Sequence, residues 1–172
     1  MDLSKKIREV QDFPKEGINF KDITTLLQDK DAFQYMVNKL AQELEDLEID
    51  IVVGPESRGF LVGAPVAYKI GAGFVPVRKP GKLPHETMRY EYQLEYGSDV
   101  LEIHKDAIQP GQKVAILDDL LATGGTVLAT AKLIEALGGE VVSINFLIEL
   151  AFLKGRDVLK SYHVKTLVSY DA

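Results

Sequence analysis

Val114-Ala115-Ile116-Leu117-Asp118-Asp119-Leu120-Leu121-Ala122-Thr123-Gly124-Gly125-Thr126 decides how the rest of this 172-residue chain is read. An unbroken apolar run, Val114 to Leu117, stops at two adjacent carboxylates. A loop of small and hydroxyl residues follows, and then a helical pattern begins. The run fits a strand buried on both faces, as in parallel sheets. Gly124 and Gly125 let the backbone turn its N–H groups inward as an anion nest. The helix start adds unpaired N–H groups and the positive end of its dipole, and Thr123 and Thr126 add hydroxyl donors. The stretch predicts a site for a phosphate monoester beside two acids suited to ribose hydroxyls or a hydrated cation. It is neither a Walker P-loop, since no Gly-Lys-Ser/Thr follows the glycines, nor a dinucleotide fingerprint, since G-x-G-x-x-G is absent.

Downstream, Thr126 to Leu137 has helical periodicity with Gly138-Gly139 as its stop. Val141 to Ile148 reads as a second buried strand and Thr166 to Ser169 as a last short one. Upstream, Ile51 to Val53 is a short strand, Gly54 to Gly59 a turn, and Gly59 to Ile70 an apolar helix despite Pro65. Phe74 to Val77 is a strand ending in the basic run Arg78-Lys79-Pro80-Gly81-Lys82. Asp29 is a good N-cap for a helix carrying Phe33, Met36, Val37, Leu40, Ala41, Leu44 and Leu47 on one face, and Leu3 to Val10 reads as a first helix closed by Phe13-Pro14. Between Met88 and His104 the period changes to two: Met88, Tyr90, Tyr92, Leu94 and Tyr96 alternate with polar residues, and Gly97-Ser98 reads as the turn of an inserted hairpin. Strands alternating with helices imply an α/β fold, a mostly parallel central sheet flanked by helices with right-handed crossovers. Ligands bind at the carboxyl ends of such strands, so the acidic pair, the Gly54–Gly59 turn and the Arg78–Lys82 run should converge on one cleft.

Composition narrows the function. A 46% hydrophobic chain of this length supports one domain with a substantial core. Twenty basic residues against 26 acidic, a net charge of -6, argue against a non-specific nucleic-acid binder while leaving room for a locally basic polyphosphate pocket. The absence of cysteine excludes disulfides, thiol catalysis and cysteine zinc sites, and His85, His104 and His163 have no metal-ligand spacing. No run is long enough to span a bilayer and Met1 to Lys6 has no signal-like apolar core, so the chain reads as cytoplasmic, with no membrane or nucleic-acid partner expected.

The segment from Val114 to Thr126 closely resembles the phosphoribosyl-pyrophosphate (PRPP) motif of type I phosphoribosyltransferases. Its Leu-Leu-Ala-Thr-Gly-Gly-Thr wording is similar to the adenine-specific branch. Glu56-Ser57-Arg58-Gly59-Phe60 resembles the family's pyrophosphate loop, and Arg78 to Pro84 its entry to a flexible catalytic loop that folds over the site and excludes water. Leu94-Glu95-Tyr96-Gly97 matches the wording around the catalytic glutamate, which implies that Glu95 hydrogen-bonds the purine N7 and carries its proton. Phe13 to Thr24 resembles a base-binding hood in which Phe20 stacks on adenine while Asn19 and Lys21 line the pocket, Lys21 standing where other members carry arginine.

The resemblance implies a single phosphoribosyltransferase domain over residues 1–172, with the N-terminal hood over about 1–30 and the catalytic-loop hairpin over about 79–104. It implies transfer of the phosphoribosyl group from PRPP to adenine N9, giving AMP and pyrophosphate, by a homodimer. Glu95, Arg58 and Lys82 would be catalytic. Ser57, Arg58, Arg78, Lys79, Lys82, Asp118, Asp119 and Ala122 to Thr126 would bind PRPP. Mg²⁺ would be held mainly by PRPP and waters near Asp118 and Asp119. Two other readings stay open at this point: another purine base (hypoxanthine, guanine or xanthine), and a non-catalytic PRPP sensor. The retained Glu95, Arg58 and Lys82, and the lack of room for a DNA-binding segment before Phe13, favour an enzyme.

Overall fold

In the computed structural model, which describes residues 1–93 and 96–172, the chain opens with a 3-10 turn (Leu3–Lys6) and an antiparallel strand pair, β1 (Arg8–Val10) and β2 (Phe20–Asp22). Helices α1 (Thr24–Gln28) and α2 (Lys30–Gln42) lead to β3 (Ile51–Pro55), α3 (Arg58–Ile70) and β4 (Gly73–Val77). An antiparallel hairpin, β5 (Thr87–Gln93) and β6 (Ser98–His104), precedes β7 (Lys113–Leu121), α4 (Gly125–Ala136), β8 (Glu140–Leu150) and β9 (Val164–Tyr170). The central sheet has the order β4-β3-β7-β8-β9 with every pairing parallel. This is the expected α/β architecture.

Alternation along β7 builds both sides of the core. Ala115 and Leu117 join Met36, Leu40, Val62 and Val66 beneath α2 and α3, whereas Val114 and Ile116 join Val127, Leu133 and Ile134 of α4. Leu101 and Ile103 of β6 are buried in the α4-side cluster, so the hairpin is rooted in the core at its base. A backbone pair between Arg78 and Glu102, at 2.9 and 2.8 Å, ties that base to the exit of β4. Asp29 caps α2 as expected, its Oδ1 accepting from the backbone N–H groups of Asp31 and Ala32.

Two sequence expectations are corrected. Leu3 to Val10 is not one helix: Leu3 and Ile7 are the buried apolar residues there, a single 3-10 turn suffices to bury them, and Arg8 to Val10 pair with β2 instead. The strand expected to stop at Leu117 continues to Leu121, because β8 runs beside it as far as the Leu121–Glu149 register. The two acids therefore lie inside the strand. No helix among the described residues is long and apolar enough to cross a membrane.

Candidate active site

The strand order reverses direction between β3 and β7, and a cleft of about 420 Å³ opens at the carboxyl ends of these two strands. Glu56, Ser57 and Arg58 line one side, Asp118 to Val127 the other, with Lys79 at the margin. The loop after β7 turns through Gly124, whose φ of +90° starts α4. A Cβ at Gly124 would also stand 2.6 Å from Val158 and 2.8 Å from the Gly155 carbonyl, so both the conformation and the space demand glycine. The first turn of α4 thus faces the cleft, with Thr123 exposed to it and Thr126 half-buried. Opposite, a Cβ at Gly59 would come within 2.9 Å of Asp118 Oδ1, so glycine allows the start of α3 to approach the acid closely.

Arg58 joins the two sides. Its Nε donates to Asp119 Oδ2 at 2.5 Å, and its guanidinium lies 5.4 Å from the centre of the Phe20 ring. Partial burial opposes the Arg58 charge, but the Asp119 carboxylate outweighs it and holds the guanidinium above its ordinary value. Burial, reinforced by the charge of Asp119, pushes the Asp118 carboxyl well up. An acid pair of this kind gains from a further cation. No group of three or more His, Cys, Asp or Glu side chains gathers into a metal cage among the described residues. Mg²⁺, which is commonly bound through one or two carboxylates together with substrate phosphates and water, fits this donor set.

Not all the expected basic residues reach the cleft. Lys79 lines it, and its ammonium is paired with Asp99 of β6. Arg78 is turned aside, its Nε 3.3 Å from Glu56 Oε1 and its guanidinium 5.7 Å from the Phe60 ring. Lys82 is exposed beyond the Lys79–Lys82 turn. Glu95 lies outside the described residues.

In the hood, β2 alternates. Phe20 and Asp22 share a pocket of about 270 Å³ with Val10 and Phe13, and the Phe13 ring meets Phe20 edge-on at 5.2 Å. Lys21, on the opposite face, is buried: its ammonium pairs with Glu9 at 3.0 Å and sits 3.9 Å over the Tyr170 ring. Strand alternation sends the Lys21 side chain inward, away from the pocket that Phe20 shares with Phe13. The Asn19 amide donates to the same Glu9 carboxylate at 2.5 Å.

Sequence reasoning gave no role to Glu56, Tyr92, Asp99 or Glu102. Glu56 accepts from the Lys79 backbone N–H at 2.6 Å and so joins the turn after β3 to the basic run. Tyr92 places its hydroxyl 3.4 Å from Thr126 Oγ1 and 3.3 Å from Asp99, linking the hairpin to the first turn of α4. Glu102 is buried and accepts from the Gly81 N–H at 2.9 Å, Thr87 Oγ1 at 2.9 Å and Arg89 at 3.2 Å. The backbone donor at Gly81, more than the other two, holds its carboxyl below the usual range. Only Glu102 left a signal, an acid inside the apolar run Val100-Leu101-Glu102-Ile103.

A helix start facing paired acids and a bridging arginine, all at the switch point of a parallel sheet, defines an α/β protein with a polar cleft of a kind suited to an anionic ligand. Residues 24–169 match the family model of the phosphoribosyl transferase domain. The chain is 76% identical over 170 residues to the adenine phosphoribosyltransferase of Alkaliphilus metalliredigens, covering 99% of this chain and 100% of that one. The adenine phosphoribosyltransferase structure from Thermoanaerobacter pseudethanolicus superposes with a TM-score of 0.96 at 59% identity, covering 98% of both chains. The Saccharomyces cerevisiae adenine phosphoribosyltransferase, complexed with an imino-altritol bisphosphate and adenine, gives 0.91 at 43% identity over 95% of this chain and 94% of that one. The chain belongs to the phosphoribosyl transferase family, in its adenine phosphoribosyltransferase branch.

Proposed function

We infer that this cleft transfers the 5-phosphoribosyl group of PRPP to N9 of adenine, releasing AMP and pyrophosphate. The observation that carries the reading is Arg58. One guanidinium contacts both the ribose-side acid Asp119 and the aromatic ring of the hood, so the sugar site and the base site are neighbours. The yeast relative, complexed with a bisphosphate and adenine together, supports the same pairing.

In this reading Ala122 to Thr126 anchor the 5′-phosphate, and that binding energy positions C1′. Asp118 and Asp119 orient the ribose hydroxyls. Ser57, Arg58 and the cations of the Arg78–Lys82 run hold the departing pyrophosphate as its charge grows, which requires Arg78 and Lys82 to swing inward. Phe20 stacks on the base, and backbone groups of Asn19 to Lys21 read its edge. Glu95 handles the N7 proton as N9 becomes the nucleophile. Mg²⁺ beside Asp118 and Asp119 would neutralise the pyrophosphate oxygens and orient the ribose.

Residues 1–172 act as one domain, with the hood (about 1–30) and the hairpin (about 79–104) as the parts that recognise the base and cover the site. The working form is a cytoplasmic homodimer. Leu61 and Tyr68, exposed apolar residues of α3 beyond the pyrophosphate turn, support such an interface, and sedimentation at micromolar concentration should give the dimer mass. The decisive assay supplies PRPP and each purine base in turn, with and without Mg²⁺. AMP from adenine, with little turnover of hypoxanthine or guanine, is expected. Equal rates on hypoxanthine would overturn the base assignment, and no transfer to any base would overturn the enzyme reading in favour of a sensor.

A further inference from the structure

The loop after β7 rests on a second segment that the reaction itself does not use. Gly155 lies directly against it: a Cβ there would collide with the Ala122 carbonyl and stand 2.7 Å from Leu121 Cδ1. From the other side, the Gly155 carbonyl, together with Val158 Cγ2, crowds Gly124. The two backbones therefore meet directly, flanked by the Leu121 and Val158 side chains, and the position of Gly155 bears on that of Ala122 and Gly124.

Gly155 is itself fixed by the next residue. Arg156 donates from Nε to Glu149 Oε1 at 2.8 Å and from Nη2 to Glu149 Oε2 at 3.1 Å, a two-bond fork. Its Nη1 donates to the Val164 carbonyl at 3.0 Å, and Thr166 Oγ1 holds Glu149 Oε2 at 3.1 Å. Glu149 is buried and paired in register with Leu121, the last residue of β7. The fork thus spans β8 and β9 at the level where the phosphate loop leaves the sheet.

We propose that Arg156, gripped by Glu149, is a positioning residue for the 5′-phosphate: through Gly155 it holds Ala122 and Gly124 in the phosphate-binding shape without touching the ligand. The inference rests on the reading of Ala122 to Thr126 as the phosphate loop. Geometry, not charge, carries the effect. Lysine keeps the charge but cannot reproduce a planar fork with a third donor.

The test is calorimetric binding of ribose 5-phosphate and, separately, inorganic pyrophosphate to the full chain with Mg²⁺, alongside thermal unfolding. Arg156→Lys should weaken ribose 5-phosphate roughly tenfold, as the displaced loop gives up about one charge-assisted hydrogen bond to the phosphate, and leave pyrophosphate unchanged. Gly155→Ala, which pushes on Ala122 directly, should weaken ribose 5-phosphate more and likewise spare pyrophosphate. Unchanged ribose 5-phosphate affinity in Arg156→Lys overturns the proposal. So does an equal weakening of both ligands that follows the fall in Tm, the pattern of a merely structural residue. Thr126→Ala serves as reference. If it weakens ribose 5-phosphate while Arg156→Lys does not, the proposal alone fails. If it has no effect either, the phosphate-loop reading fails and the proposal with it.

Discussion

The phosphate loop and the hairpin border the same cleft, yet they are held by different physics. Leu117 to Thr126 continues a strand with a hydrogen-bonded neighbour on β8, begins a helix, and packs backbone to backbone on Gly155. Moving it would break close packing in an interior with little free volume. Among the described residues of the hairpin, the buried ones are Leu101, Glu102 and Ile103, near its base. Towards the cleft it is held by side chains, Lys79 to Asp99 and Tyr92 to Thr126, while Arg89 pairs with Glu102 across its own two strands. Lys79 and Arg89 are about half and two-thirds exposed respectively, and pairs with exposed partners contribute about 0–1 kcal/mol. One region is fixed by strand pairing and backbone packing, the other largely by a few side-chain contacts.

The contrast is sharpest in catalysis. Glu95→Gln, in the hairpin, should lower kcat by about 100-fold, in the range set by loss of general acid–base catalysis, while PRPP affinity stays near that of the parent. Single-turnover rates and equilibrium PRPP binding read the two quantities separately. If PRPP affinity falls while turnover is normal, the division of labour is wrong.

In the rigid region the effect should be on binding. Thr126→Ala removes a hydroxyl donor to a charged oxygen, worth about 1.5–3 kcal/mol, so PRPP should bind roughly 10- to 100-fold more weakly. Calorimetry with PRPP would measure it. A kcat loss at saturating PRPP with unchanged affinity would break the comparison.

The smallest expected effect concerns the hairpin's anchor. The carboxyl of Glu102 is held below the ordinary glutamate value by the Gly81 N–H, with Thr87 and Arg89 assisting. A depressed value means that the folded state binds fewer protons than the unfolded one. The stabilisation is therefore complete above the ordinary value of about 4.3 and fades as pH falls through the lower folded value. Glu102→Gln should flatten that part of the acid-side fall in Tm and loosen the Lys79–Lys82 turn, raising the PRPP KM a few-fold. An unaltered acid limb of the Tm profile would show that the anchor contributes nothing.

Much of this was legible in advance because it is local. The apolar run of β7, the acid pair, the glycine turn, the Asp29 cap and the two-residue period of the hairpin each arise from sterics and periodicity within a few residues. The failures also have local causes. Leu3 and Ile7 share a helical spacing that one 3-10 turn satisfies, and the strand holding the acid pair reaches Leu121 because β8 runs beside it.

The sequence by itself determined most of the central strands and helices and the family, because these depend on residue types at fixed short spacings. Tertiary structure alone decided that Arg58 bridges Asp119 and Phe20, that Glu56 and Glu102 grip the basic run, and that Gly155 lies beneath Gly124. The partners in those contacts stand roughly 20 to 60 residues apart in the chain. No local preference brings such groups together; the burial of two core faces against one sheet does.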